Sequence, residues 1–290
     1  MWRSGGLRWG DEGPRLVWEG RARASPLVYG TGVGFRVEEA GERTCVGARG
    51  HACPVRAQVP GRGTQARCGE CSRLDRAHSV AADTIADDPR VYRVYLAWFG
   101  AGMVKVGITA EERGPARLRE QGAVAFSWLG RGPLMAARRT EELLRTALGV
   151  PDRIPYADKR AVRARLPGRE ERAAEVREVH AQAVALAGWP DSLERLVCEV
   201  ADHGEVFGLA GLGDPAGVVS ELVAGGAVAG RLVAAAGPDL HLAGGDGAVI
   251  VLDTRLMAGW GLTGAEPGAG VTVPVRVTPA EPEVEQPGLF

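Results

Sequence analysis

Val91-Tyr92-Arg93-Val94-Tyr95-Leu96-Ala97-Trp98-Phe99 is followed by Gly100-Ala101-Gly102, and then by Met103-Val104-Lys105-Val106-Gly107-Ile108-Thr109. Both flanks are rich in β-branched and aromatic residues, and the glycines between them suit a tight turn. The segment therefore reads as the two strands of a hairpin. Beyond it, Pro115 to Gln121 reads as a short helix and Ala123 to Leu129 as a third strand. Pro133 to Leu148 reads as a longer helix, with proline at its start and Gly149 at its end. The order is β-β-α-β-α.

Upstream, residues 1–40 hold short apolar runs such as Leu16-Val17-Trp18 and Leu27-Val28-Tyr29, separated by glycine-rich turns. These read as β-hairpins. Gly30-Thr31-Gly32-Val33-Gly34 is a turn rather than a phosphate loop, because no Gly-Lys-Ser/Thr follows. Downstream, residues 168–187 read as a helix, charged and then Ala/Val-rich, ending at Gly188. A helix from Ser192 to Ala201 is expected next, with Cys198 in its apolar stripe. Glycine-punctuated apolar runs such as Ala248-Val249-Ile250-Val251-Leu252 then indicate strands. Gly208-Leu209-Ala210-Gly211-Leu212-Gly213 lacks the G-x-G-x-x-G spacing of a dinucleotide loop and reads as a turn. The expected fold class is α+β. The expected divisions are 1–83, 84–188 and 189–280, followed by a disordered acidic tail over 281–290.

Hydrophobic residues make up 45% and charged residues 24% of the chain, which fits a globular protein rather than a disordered one. No apolar stretch is long enough to span a bilayer, and the first residues lack the apolar core of a signal peptide. A cytoplasmic location with reduced thiols is therefore expected. Formal net charge is −1 but uneven. Residues 84–187 carry 18 basic and 13 acidic side chains, whereas residues 191–290 carry 4 and 14. A basic centre is compatible with an anionic partner such as nucleic acid. Only Lys105 and Lys159 are lysines, against 33 arginines. A lysine retained in so arginine-biased a chain can serve where an amine must lose its proton, which a guanidinium cannot do. That reading and chance survival both stand for Lys105. Lys159 reads as chance survival.

Four of the five cysteines fall at Cys45, Cys53, Cys68 and Cys71, with His51 beside the second. A Cys-x-x-Cys pair separated by a loop from a second Cys/His pair is the usual pattern of a tetrahedral zinc site. The four cysteines are the expected ligands, with His51 replacing one as the alternative. Four filled places make the ion structural rather than catalytic.

The hairpin with Tyr95 and Lys105-Val106-Gly107, then Arg117, then Glu141 on the following helix, resembles the GIY-YIG nuclease superfamily. It is similar to a branch with Lys-Ile-Gly in place of Tyr-Ile-Gly. The wider chain resembles a bacterial family of uncharacterised proteins that places a Cys-rich segment before such a core. In that family Glu-Gln-Gly-Ala, here Glu120 to Ala123, follows the arginine. The resemblance covers residues 91–150 best. It implies metal-dependent phosphodiester cleavage of nucleic acid. Glu141 would hold a Mg²⁺ or Mn²⁺ ion, with Glu142 competing for that place. Arg117 would clamp phosphate, Gly107 would let backbone approach it, and Tyr95 or Lys105 would help activate water. The chain departs from the pattern in Arg93, which stands at the first-motif glycine. Lys105 likewise stands at the second-motif tyrosine.

The alternative is a noncatalytic nucleic-acid-binding protein on the same fold. Arg113, Arg117, Arg119, Arg131, Arg138, Arg139 and Trp128 would then supply phosphate contacts and stacking. An unrelated activity on the same scaffold is a third reading. The last residues, Gln286-Pro287-Gly288-Leu289-Phe290, resemble the Gln-x-x-Leu-Phe peptides that dock bacterial DNA-processing proteins on the replication sliding clamp. Gln286, Leu289 and Phe290 would make that contact.

Overall fold

The computed structural model describes residues 2–19, 24–77 and 88–278. In chain order the first strands are β1 (Trp2–Gly10), β2 (Gly13–Trp18), β3 (Ala24–Pro26) and β4 (Gly32–Val37), followed by α1 (Gly69–Ala77). The middle of the chain holds β5 (Val91–Trp98), β6 (Val104–Ala110), α2 (Ala116–Gln121), β7 (Ala125–Pro133) and α3 (Leu134–Leu148). Then come α4 (Tyr156–Val162), α5 (Arg169–Ala185), β8 (Glu194–Arg195) and β9 (Val200–Asp202). The last strands are β10 (Gly217–Val219), β11 (Ala227–Ala236), β12 (Asp239–Ala243), β13 (Val249–Asp253), β14 (Gly261–Gly264) and β15 (Val275–Val277). The architecture is mixed α+β, and the middle follows the β-β-α-β-α order read from the sequence.

Strand β5 explains the layers. Tyr92, Val94, Leu96 and Trp98 are wholly buried on one face, and Tyr95 and Ala97 are nearly so on the other. A strand apolar on both faces must be covered on both. The first face packs into the main core with Leu134, Ala137 and Leu144 of α3 and Val176 and Ala183 of α5. The second packs against Leu118 of α2, with Phe99 and Phe126, as a smaller separate core. Burying each large side chain contributes about 1.5–3 kcal/mol.

The smaller sheet runs β6-β5-β7-β8, with β9 also paired to β7. Its β6 edge is closed by the segment after α3, because the Val106 N–H donates to the Pro151 carbonyl at 3.0 Å. The larger sheet has the order β15-β10-β13-β12-β11-β4-β14-β1-β2-β3. Strand β4 lies between β11 and β14, and β1 pairs with β14 as well as β2. Strands from residues 2–37 and 217–277 are therefore hydrogen-bonded neighbours in one sheet, with the cysteine segment and the smaller sheet inserted between them in the chain. The two sheets meet where Gly122, the left-handed cap of α2, faces Gly237 in the β11–β12 turn. A Cβ on Gly122 would come within 3.2 Å of the Gly237 nitrogen, so this approach requires glycine.

Three expectations change. The segment expected as a helix from Ser192 to Ala201 is extended, and its backbone completes the free edge of β7 through Gly130–Arg195 and Ser127–Val200 pairs. Cys198 is accordingly half-buried in an extended segment, 3.8 Å from the Ser127 hydroxyl, rather than in a helical core. In Gly30–Gly34 only the first residues turn, and Gly32 already belongs to β4. The run at 208–213 is a turn, as read. The acidic tail, with Gln286, Leu289 and Phe290, lies outside the described residues.

Candidate metal centre and active site

The sulfurs of Cys45, Cys53, Cys68 and Cys71 all lie within 4.8 Å of one another. A tetrahedral zinc–thiolate centre with Zn–S near 2.3 Å places its sulfurs about 3.8 Å apart. The set thus fits one ion. Local structure assembles it. The Cys45 N–H donates to the Ala57 carbonyl at 2.8 Å, bending the loop back on itself. Cys71 lies in the first turn of α1 and Cys68 just before it. Backbone N–H groups of Gly47 and Cys68 donate to the Cys45 sulfur at 3.4 and 3.2 Å, which fixes its position in the cluster. All four thiols are free of disulfides. His51 is exposed and outside the group, so the four cysteines form the donor set.

The second site lies on the α2 side of β5 and β6. Tyr95 stands opposite Gly107 in the register, and Lys105 stands opposite Ala97. The glycine is required by space: a Cβ there would run into the ring and hydroxyl of Tyr95. Tyr95 is 2% exposed, and its hydroxyl accepts a hydrogen bond from Gln121 Nε2 at 2.8 Å. Burial raises its pKa. Lys105 Nζ donates to the Asp152 carbonyl at 3.0 Å and lies 5.7 Å from the centre of the Tyr95 ring. Burial, and then the Arg117 charge, bring Lys105 down to about 8, while Glu141 pulls the other way.

Glu141 on α3 is half-buried, and burial raises its carboxyl above the usual range against the pull of Lys105. Its charge also reaches Tyr95, as does that of Arg117. Glu142 is turned to solvent and held by Arg145 at 2.6 Å. Arg117, 41% exposed, is 3.7 Å from Glu120. Tyr95, Lys105, Arg117 and Glu141 thus form one electrostatic neighbourhood, and Gly107 leaves room in it for the Tyr95 ring.

Most of the other cations are committed elsewhere. Arg113 holds Glu120, Arg119 donates to the Gly10 carbonyl, and Arg131 holds Glu111 together with Arg93. Arg93 also lies over the Trp128 ring at 5.0 Å, which covers the expected stacking face. Arg138 and Arg139 lie on α3.

Sequence reasoning gave no role to three residues here: Gln121, Tyr156, and Lys159, which it read as chance survival. Gln121 orients Tyr95 and, through its carbonyl, accepts from Lys159 Nζ at 3.2 Å. Lys159 is buried on α4 between Phe99 and Tyr156, 3.8 and 4.4 Å from the ring centres. Burial, and then the Lys105 charge, bring it down to about 7. The two lysines of the chain therefore share one neighbourhood, and their shared rarity is the signal that could have found Lys159. Tyr156, whose hydroxyl donates to the Glu120 carbonyl at 3.2 Å, closes the same side.

Fold and site define a mixed α+β protein with a four-cysteine, metal-competent cluster and a largely buried Lys/Tyr/Glu neighbourhood. The chain belongs to the family described as "Protein of unknown function (DUF2797)", whose model matches residues 33–262. That span contains the four cysteines and Tyr95, Lys105, Gly107, Arg117 and Glu141. No curated protein and no solved structure matches the chain. Among the described residues, no helix is long and apolar enough to cross a membrane.

Proposed function

We propose that the protein is a metal-dependent phosphodiesterase acting on nucleic acid, with a structural zinc ion in the four-cysteine cluster. The observation that carries this reading is that Lys105 and Tyr95 both feel the opposed charges of Arg117 and Glu141. The resemblance of the β5–α3 segment to GIY-YIG nucleases supports it. Arg117 would bind a phosphate oxygen. Glu141 would hold Mg²⁺ or Mn²⁺, since such ions bind through one or two carboxylates plus substrate phosphates. When bound, that ion stabilises charge on the leaving oxygen. An attacking water passes its proton to the neutral amine of Lys105 as its oxygen bonds to phosphorus. The bond from phosphorus to the leaving oxygen breaks, and that oxygen keeps the electron pair. An amine near 8 is partly neutral at physiological pH and can act as this base.

A binding-only role is the second reading, favoured by the burial of the Tyr95 hydroxyl against Gln121. The test is incubation of the purified chain with labelled single- and double-stranded DNA and RNA, with Mg²⁺ or Mn²⁺. Glu141→Gln is expected to lower cleavage by at least about 10²-fold while leaving nucleic-acid binding intact. Binding without cleavage of any substrate supports the second reading. Cleavage by Glu141→Gln at the native rate overturns the assignment of the carboxylate.

A further inference from the structure

Arg117 opens into a cleft of about 370 Å³ whose walls come from three parts of the chain. Strand β1 supplies Arg8, the segment leading into the cysteine helix supplies Arg67, and residues 254–258 supply Arg255. Its lining includes Gly5, Gly6 and Gly237, which present backbone and no side chain. We propose that this cleft takes the phosphodiester backbone of a single nucleic-acid strand and leads it to Arg117. The proposal rests on the phosphodiesterase reading and extends it to the path of the substrate.

Four guanidiniums line the cleft, against two carboxylates, Glu19 and Glu120. The whole chain is near neutral, at −1, so the cluster does not follow from general basicity. Two of the four are fixed. Arg255 grips Asp253 at 2.9 and 2.6 Å and lies 4.2 Å from the centre of the Tyr156 ring. Arg67 donates to the Gly47 carbonyl at 2.9 Å and pairs with Asp75 at 3.3 Å. The other two have capacity to spare. Arg8 is exposed and makes no side-chain hydrogen bond or ion pair among the described residues. Among the described residues Arg117 pairs only with Glu120, at 3.7 Å, and Arg113 already holds that carboxylate at 2.5 Å.

Fixed guanidiniums offer donors whose ordering cost is already met by the fold, and free ones can close on a phosphate. Arginines spaced along a groove match a repeating phosphate chain better than a single carboxylate. A cleft of about 370 Å³ has the capacity of a small-molecule site, so it takes a short piece of one strand rather than a duplex.

The test measures fluorescence anisotropy of labelled 12-mers of single-stranded DNA, single-stranded RNA and duplex DNA. The full chain carrying Glu141→Gln is used, in buffer lacking Mg²⁺ and chelator. Single strands are expected to bind more tightly than duplex, and comparing the DNA and RNA arms identifies the natural strand. Arg8→Ala and Arg67→Ala should each weaken binding by about fivefold at moderate salt. Each should also reduce the slope of log K against log salt by about 0.7. Arg8→Lys should restore most of the loss. Arg62→Ala, at a surface position paired with Glu221 outside the cleft, should change nothing. Arg8 lies on a strand distant in sequence from the cysteines, so its variant separates charge loss from unfolding of the metal cluster.

Native binding and slope in both alanine variants, with cleavage by the unmodified chain persisting, would overturn the cleft and leave the phosphodiesterase reading standing. Weakened binding in a chain that cleaves nothing would keep the cleft and sink the enzyme. Tighter binding of duplex than of single strand would overturn the strand assignment.

Discussion

The cysteine cluster and the Lys/Tyr/Glu neighbourhood both bury groups that water would otherwise solvate, but they satisfy them differently. In the cluster every donor atom lies close to its three counterparts, so one ion would complete the set and leave no coordination place for chemistry. In the neighbourhood the groups are held by main chain and by amides. Asp152 takes Lys105, and Gln121 takes both Tyr95 and Lys159. Their charges act on one another without closing into contact pairs. A set saturated by its own members supports the fold. A set held in position by surrounding backbone retains capacity for a ligand.

The largest effect should come from the saturated set. Purified protein should contain one zinc ion per chain, read by elemental analysis. Cys68→Ser should abolish it and destabilise the fold by several kcal/mol. Metal-binding free energies of about 10–16 kcal/mol act as folding energy in small zinc modules. Near-zero metal with freely reactive thiols would break the comparison at its first limb.

Next is Gly107→Ala. The added methyl meets the Tyr95 ring, an overpacking expected to cost about 1–3 kcal/mol in urea unfolding. A neutral result would mean that the ring can move aside, and that the neighbourhood is less tightly held than described.

A smaller, pH-dependent effect concerns Lys159. Its folded pKa of about 7 lies below the unfolded value near 10.5. Between these values the unfolded chain binds more protons, so this group makes stability rise with pH from about 7 toward 10. Below pH 7 both states carry the charge and the destabilisation is fully present. Lys159→Met should flatten that rise in the unfolding midpoint, and an unchanged profile would show that the amine is solvated. Smallest is Gln121→Leu. It removes the hydrogen bond to Tyr95 at about 1 kcal/mol of stability and should shift the tyrosine's ultraviolet absorbance.

The central hairpin was legible because its β-branched and aromatic runs flank glycines over a short span. The cysteine cluster was legible because its spacing is that of a tetrahedral site, and only the structure sets His51 apart from it. Helix α4 was not foreseen. It has seven residues, and its cohesion is tertiary, through Arg160 on Asp239 and Asp253 at 2.8 and 2.5 Å. The segment 192–201 has helix-like apolar spacing at Leu193, Leu196 and Val197. The free edge of β7 offered its backbone a ladder, and Val197 ended up 84% exposed. Gln121 looks like any polar helix residue until Tyr95 is seen above it. The interleaved large sheet could not be read locally, since each strand's partner lies on the far side of the inserted smaller sheet.

That interleaving has a consequence for synthesis on the ribosome. Arg36 on β4 donates to the Gly225 carbonyl, 189 residues later in the chain. At about 5–20 residues per second, β4 waits roughly 10–40 s for the strands that flank it. The β5–β7 region pairs within about forty residues and can form during that interval. An unpaired β4 edge is meanwhile open to other nascent chains. Slowed translation beyond residue 133 should therefore raise aggregation of this protein more than a pause before residue 32.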